Sequence, residues 1–350
     1  MRVLHVTEAL GGGIQSALAN YVDGTADVEH AVFSRARAGQ QTQDAALAAI
    51  AHERFEGALP GFFRRLRVKV RDERPDVVHL HSSFAGAARA VLPRSVGVVY
   101  SPHCYAMERR DVPGPVRLGF GLAEFALGRR RHQVTVAVSP REAAISARLN
   151  RRNPAVVALN PSPFGREARH QRLWSEREVV MVGRISAQKD PAMFARVAHA
   201  CRDLGCRFVW IGDGAPAGRR TLAGEGVEVT GWADPGAVRD RLAGAALYLH
   251  SAAWEGGPVS TIEAAALGVP VLARRIPSME SLGYPLAGST PDDMASSVHR
   301  FFADPAYADE VGRRSRGIAN AARPAQMAAG LREAYTRAAA WTSRGRPSAR

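Results

Sequence analysis

Short apolar runs alternate with helical stretches along the whole of this 350-residue chain, and that alternation limits the fold more than any other feature. Arg2–Thr7, Ala31–Phe33, Val77–Leu80, Val96–Tyr100, Val134–Val138 and Val156–Ala158 read as short buried strands. Stretches with helical apolar spacing lie between them, such as Ile14–Val22, Phe62–Arg71 and Val116–Arg130. Repetition of this kind predicts an α/β fold, with parallel sheets covered by helices on both faces. The pattern breaks at Asn160-Pro161-Ser162-Pro163-Phe164-Gly165, where an inter-domain linker is expected. It restarts with strands at Val179–Val182, Phe208–Ile211, Val227–Thr230, Ala246–His250 and Val269–Ala273. Two Rossmann-like domains are therefore predicted, over residues 1–165 and 166–322, rather than one large sheet. A last helix over 323–341 is expected to pack back toward the first domain. The Arg/Ser/Gly/Pro-rich tail, 342–350, reads as disordered.

Composition narrows the class. No apolar run reaches the roughly 20 residues of a membrane span, and Glu8 with the following glycines interrupts any signal-like start. A soluble, cytoplasmic protein is expected. Cys104, Cys201 and Cys206 lack metal-ligand spacing and are too few for a disulfide framework. The formal net charge is +14, and residues 1–170 carry 24 basic against 15 acidic groups, the remainder 23 against 18. The more basic first half suits an anionic membrane surface or an anionic acceptor; no nucleic-acid motif accompanies it. Lys69 and Lys189 are the only lysines, which makes a lysine inside a motif easier to notice.

The strongest motif is Trp254-Glu255-Gly256-Gly257-Pro258-Val259-Ser260-Thr261-Ile262-Glu263-Ala264, directly after the strand ending at His250. Gly256 and Gly257 allow a tight turn and close approach to a ligand. A helix over Pro258–Leu267 would aim its first amides at that loop, a natural place for phosphate. Glu263 is then in reach of a ribose hydroxyl. Ser260-x-x-Glu263 also has capping-box spacing, in which Glu263 would satisfy only backbone amides. Upstream, Gly183-Arg184 is followed by Lys189 in the loop after the first strand of the second domain. That is the end of a sheet where open α/β folds bind ligands, and two cations there fit a diphosphate leaving group.

Gly183-Arg184…Lys189, with Glu255…Glu263 and Glu-Ala-Ala-Ala-Leu-Gly-Val-Pro (263–270) behind it, resembles glycosyltransferase family 4, of the GT-B fold. Trp210-Ile-Gly-Asp-Gly, Thr230-Gly-Trp-Ala-Asp and the opening His5-Val-Thr-Glu-Ala-Leu-Gly-Gly-Gly-Ile add lesser matches, so the likeness covers nearly the whole chain. The resemblance implies a retaining, nucleotide-sugar-dependent transferase with its active site in the cleft between two domains. It implies that Arg184 and Lys189 bind the donor diphosphate, Glu263 the ribose and Glu255 the transferred sugar. The backbone of Gly256–Val259 would receive sugar or phosphate oxygens, while Gly212 and the residues near Trp232 flank the base. Its opening further resembles transferases of exopolysaccharide and cell-envelope assembly, whose acceptors are often lipid-linked glycans.

Signals in the first domain are weaker. Gly11-Gly12-Gly13 brings amides toward donor phosphate or acceptor, through Gly12 and Gly13, although G-x-G-x-x-G spacing is absent. His103, after the strand ending at Tyr100, resembles the family's first-domain histidine that contacts the donor sugar. His79 and His81 read as structural. Phe62–Arg71 reads as an amphipathic, basic helix able to rest on anionic lipid, and Arg129–Arg131 as a solvated helix face. The family's Asn-Gly after the last first-domain strand is Asn160-Pro161 here. No Asp-x-Asp metal motif has a credible position, and Asp292-Asp293 reads as a first-turn charge effect. No metal or other cofactor is expected. No carboxylate stands out as a nucleophile, so front-face displacement is expected, assisted by the leaving phosphate. A nucleotide-sugar 2-epimerase, or a silent sugar-nucleotide or membrane-binding protein, would share the architecture.

Overall fold

The computed structural model describes residues 1–36, 45–130, 132–164 and 177–344. It divides into two units, one of Met1–Asn160 with Pro324–Arg350 and one of Pro161–Arg323. The first unit runs β1 (Arg2–Thr7), α1 (Gly13–Gly24), β2 (Glu29–Arg35), α2 (Ala45–Ala48), β3 (Ala51–Phe55), α3 (Leu59–Glu73), β4 (Val77–His81), α4 (Ser83–Gly86), β5 (Gly97–Ser101), α5 (Gly114–Gly128), β6 (Gln133–Ala137), α6 (Pro140–Leu149) and β7 (Ala155–Val157). The second runs β8 (Glu178–Val182), α7 (Pro191–Ala200), β9 (Arg207–Ile211), α8 (Pro216–Gly224), β10 (Glu228–Val229), α9 (Pro235–Gly244), β11 (Leu247–His250), α10 (Val259–Ala266), β12 (Val271–Arg274), α11 (Pro277–Leu282), β13 (Leu286–Gly288), α12 (Pro291–Ala303) and α13 (Pro305–Ala321). The closing helix, α14 (Pro324–Arg344), belongs to the first unit.

Both sheets are parallel throughout their named strands, in the orders β3-β2-β1-β4-β5-β6-β7 and β10-β9-β8-β11-β12-β13. Helices cover both faces, so β4, β5 and β6 are buried along their entire lengths, as near-continuous apolar strands of parallel sheets must be. In each sheet the strand order reverses beside the first strand, between β1 and β4 and between β8 and β11. The loops at the carboxyl ends of those strands form the crevice in which this architecture binds ligands.

Several expectations change. The edge strand β3 and the three-residue β13 have no apolar run to announce them; the side chains of β3 are largely exposed. The amphipathic helix read over Phe62–Arg71 is α3, but its apolar face is not available to lipid. Phe62 and Leu66 are fully buried in the core and Val70 nearly so, while Arg65 and Lys69 pair with Glu53 at 2.7 and 2.9 Å. Arg130, read as part of a solvated face, instead directs its guanidinium at the carbonyls of Arg89, Leu92, Pro93 and Val96; Arg131 lies outside the described residues. The helix read as ending at 341 continues through Arg344. Thr342 explains why: its hydroxyl accepts from the Gly97 amide and donates to the Asp76 carbonyl, both at 2.7 Å. Gly97 permits that contact, since a Cβ there would lie 2.0 Å from the Ala338 carbonyl oxygen. Residues 345–350 and most of the expected linker after Phe164 lie outside the described residues. Asp293 completes a capping box with Thr290 at the start of α12, a sharper role than a first-turn charge. Among the described residues no helix is long and apolar enough to cross a membrane.

Candidate functional site

In the second unit the motif residues gather at the switch point. Lys189 Nζ lies 2.5 Å from Glu255 Oε1, and Gln188 Nε2 donates to Glu255 Oε2 at 3.2 Å. Both charged side chains are largely buried, so their attraction is less screened than that of a surface pair. The loop carrying Lys189 is fixed from neighbouring strand ends. Ser251 Oγ donates to the Lys189 carbonyl at 2.8 Å, the Ala253 amide donates to the Gln188 carbonyl at 2.9 Å, and Arg274 pairs with Asp190 at 2.7 Å. Asp190 in turn caps α7 by accepting from the Met193 amide. Arg184 is exposed and, among the described residues, has no ion-pair partner, which leaves its guanidinium open to an anion.

Gly183 and Gly212 are needed where they stand. Both have positive φ, and a Cβ on Gly212 would lie 2.3 Å from the Gly183 carbonyl oxygen. Trp210 Nε1 donates to that same oxygen at 2.8 Å. The loops after β8 and β9 are thereby held flat against one another, while Trp232, on the loop after β10, is 68% exposed.

The capping reading of Glu263 does not match the structure. Helix α10 starts at Val259 with Pro258 as its N-cap, and no side chain caps it. Ser260 Oγ instead bonds Tyr248 Oη at 2.8 Å. Burial pushes the Glu263 carboxyl up to about 7, with Lys189 drawing it the other way. Gly256 and Pro258 are buried, Gly257 and Val259 half-buried, and neither glycine has a left-handed φ. Sequence reasoning passed over His250. It is fully buried at the end of β11, neither ring nitrogen has a hydrogen-bond partner, and Nε2 lies 3.9 Å from Glu255 Oε1. Burial first, then the Lys189 cation, holds this imidazole well below the usual histidine range. Its position as the last strand residue before the motif was the available signal.

In the first unit, Gly12 (φ 57°) is the N-cap of α1 and Gly13 its first residue, and a Cβ on either would meet nothing within 4 Å. The turn requires glycine at Gly12; nothing in the structure itself requires it at Gly13. His103 and Cys104 both adopt positive φ, 48° and 89°, a conformation costing on the order of 1–3 kcal/mol per non-glycine residue. Glu142, in the first turn of α6, holds them there. Its carboxylate accepts from the Cys104 amide at 2.5 Å and the Val138 amide at 2.9 Å. Burial lifts the Glu142 carboxyl to about 7, against the pull of those two amides. Sequence reasoning missed Glu142; Ser139-Pro140-Arg141-Glu142 has capping-box spacing, and Ser139 does cap α6, but the carboxylate reaches across to the His103 loop.

His79 and His81 are buried within a histidine cluster. The ligand atoms of His5, His79 and His81 lie within 4.8 Å of one another, yet both nitrogens of each ring already face a protein hydrogen-bond partner. Hydrogen bonding therefore accounts for the cluster without an ion. Cys201 is fully buried and Cys206 half-buried.

Two family models match the chain: glycosyltransferase family 4 over residues 11–161, and glycosyl transferases group 1 over residues 176–304. Over 226 residues the chain is 29% identical to TuaC of Bacillus subtilis (strain 168), named as a teichuronic acid biosynthesis glycosyltransferase. That match covers 61% of this chain and 57% of TuaC. Among solved structures, the chain is similar to sucrose-phosphate synthase of Thermosynechococcus elongatus (TM-score 0.79, 16% identity, 96% of this chain and 98% of that one). It is also similar to Anabaena HepE, solved with UDP and glucose (TM-score 0.74, 14% identity, 95% and 98%). At such identities the structures speak to the fold: two Rossmann-like domains of the GT-B type.

Proposed function

This chain belongs to the family 4-type glycosyltransferases of the GT-B fold, and from that premise we propose that it transfers a sugar, with retention, from a nucleoside diphosphate sugar to a glycan or lipid-linked glycan of the cell envelope. One observation carries the reading: the Lys189–Glu255 pair stands at the second sheet's switch point, on the same two loops as Arg184 and the N terminus of α10. An arriving diphosphate competes for Lys189 and finds Arg184 and the uncapped amides of α10 as further donors. Glu255, relieved of its lysine, is then free to accept from hydroxyls of the transferred sugar. Glu263, with no cap to serve, takes the ribose. The anomeric carbon–oxygen bond to the diphosphate breaks while the acceptor oxygen attacks the same face. The acceptor's proton passes to a phosphate oxygen, and the cations stabilise the charge that develops there. On the first unit, the family resemblance gives the sugar-contacting role to His103. With two cations and a helix N terminus in place no metal is required, so turnover should persist in excess chelator.

We propose further that the enzyme is cytoplasmic and rests peripherally on the membrane, through α5 rather than α3. Helix α5 turns Glu124 inward, where it pairs with Arg89 at 2.6 Å, and leaves Leu118, Leu122 and Phe125 outward, 65, 61 and 42% exposed. Arg129 stacks on Phe125 at 4.3 Å. A helix with its acidic charge turned inside, apolar groups outside and Arg129 at its end suits an anionic lipid interface.

A thermal-shift panel of nucleoside diphosphate sugars tests the donor assignment, because a ligand that binds only the folded state raises its stability. Turnover should then require an acceptor; release of an epimerised sugar without one would replace transfer by 2-epimerisation. Sedimentation with anionic vesicles should carry down the wild type at low salt but not a Leu118→Ser/Leu122→Ser variant. Equal recovery in the supernatant with neutral and anionic vesicles would remove the membrane assignment.

A further inference from the structure

Four imidazoles of the first unit are joined end to end. His30 Nδ1 lies 2.9 Å from His5 Nε2, His5 Nδ1 lies 3.0 Å from His81 Nε2, and His81 Nδ1 lies 3.1 Å from His103 Nε2. They come from β2, β1, β4 and the loop after β5, strands that the sheet places side by side. His5 and His81 are fully buried and His30 nearly so, while His103 is half-buried. The row therefore runs from the interior to the loop that the sugar assignment uses.

The inner end has a fixed polarity. His30 Nε2 faces the Thr25 carbonyl at 3.0 Å and the Thr25 hydroxyl at 3.1 Å. A carbonyl only accepts, and that hydroxyl already donates its one proton to the Tyr21 carbonyl at 2.6 Å. His30 Nε2 must therefore carry hydrogen. In a neutral imidazole the other nitrogen is then bare, so His30 Nδ1 accepts and His5 Nε2 donates. The same step repeats at His5 and His81, and it ends with His103 donating from Nε2. Burial supports neutrality: it lowers the affinity of His5, His81 and His30 for a second proton and brings His103 down to about 4. The row is closed at its inner end by a carbonyl, so it sets a polarity and does not carry protons through the domain.

We propose that the Thr25 carbonyl, acting through His30, His5 and His81, fixes His103 as the Nε2–H tautomer and leaves its Nδ1 as a hydrogen-bond acceptor, so that the loop takes a ligand presenting a hydroxyl. His30, His5 and His81 are positioning residues for His103. The hydroxyl as a sugar hydroxyl rests on the transferase reading; the tautomer does not.

Nitrogen-15 NMR of the full chain labelled in histidine tests this without any ligand. At pH 7, His103 should show a protonated Nε2 and a bare Nδ1, and His5, His30 and His81 should show the same pattern. His30→Phe removes the acceptor of His5 and should give His103 a measurable share of the Nδ1–H tautomer, with the fold retained. A wild-type His103 protonated on Nδ1, or on both nitrogens, overturns the proposal, and this measurement decides alone if His30→Phe does not fold. A folded His30→Phe protein with unchanged His103 signals also overturns it, because His103 would then hold its tautomer by itself. Absence of sugar transfer in a protein showing the expected tautomers would defeat the transferase reading and leave the relay standing.

Discussion

Each unit has a polar cluster beside the point where its strand order reverses, and the two clusters follow opposite electrostatic rules. In the second unit opposite charges meet: Lys189 and Glu255 neutralise each other directly, beside Glu263 and an exposed Arg184. In the first unit the groups are neutral: buried imidazoles hand hydrogen bonds from one ring to the next, and Glu142 braces the outer end. A charged pair can be re-partnered by an incoming anion. A tautomer row ending on a backbone carbonyl holds a single state. The contrast separates a cluster built to exchange partners from one built to hold an orientation.

Removing the cation should break the first cluster with the largest effect. Lys189→Met is expected to lower turnover by roughly 10² or more, as loss of a transition-state charge donor does. Because Glu255 is left buried without its partner, stability should also fall, by up to about 3 kcal/mol. Combining it with Glu255→Gln should restore the melting temperature but not the turnover. A single variant that melts like the wild type would mean that the pair is not energetically coupled.

The brace of the second cluster is expected to matter somewhat less. Glu142→Gln can still accept one of the two amides and leaves the other unpaired, at about 1–3 kcal/mol. Its pH dependence gives an independent reading. Glu142 and Glu263 are both raised from 4.5 to about 7 by burial, so between those values the folded protein holds more protons than the unfolded chain. Stability from these groups is fully present below the unfolded value and is lost as pH rises through the folded one, by at most about 3 kcal/mol each. Denaturant titrations from pH 4 to 8 should show this decline, and Glu142→Gln should flatten it in part. A stability that rises over that range would mean the carboxyls are not raised.

The smallest effect sharpens the comparison. Glu263→Gln keeps the shape and removes the charge, so donor affinity should drop by about tenfold, the scale of one charge-assisted bond becoming neutral. Near pH 7 the melting temperature should stay level or rise, because α10 has no cap to lose. Unchanged affinity in calorimetric titration would take ribose binding away from Glu263.

Both clusters bear on what the sequence disclosed. Lys189, Glu255 and Glu263 could be picked out as candidates because each belongs to a local pattern of glycine, cation or helix start that follows a strand. The histidine row was not, since His5, His30, His81 and His103 belong to four separate segments and only strand order makes them neighbours. Glu142 was hidden for a related reason: its helix-start spacing describes the Ser139 cap but not the distant Cys104 amide that its carboxylate holds.

Helices α3 and α5 show where the division falls. Alternation of strand and helix determined two parallel sheets, because apolar periodicity is a local property of the chain. It also marked α3 as apolar and basic, and α5 as a helix with apolar spacing. Which side of each helix faces inward was decided by the tertiary structure alone. Phe62 and Leu66 of α3 lie over a sheet face that needs covering, whereas α5 turns Glu124 toward the buried Arg89 and leaves Leu118 and Leu122 outside. A buried charge must find its partner, and Arg89 stands 35 residues from Glu124 in the chain, beyond the reach of any local pattern.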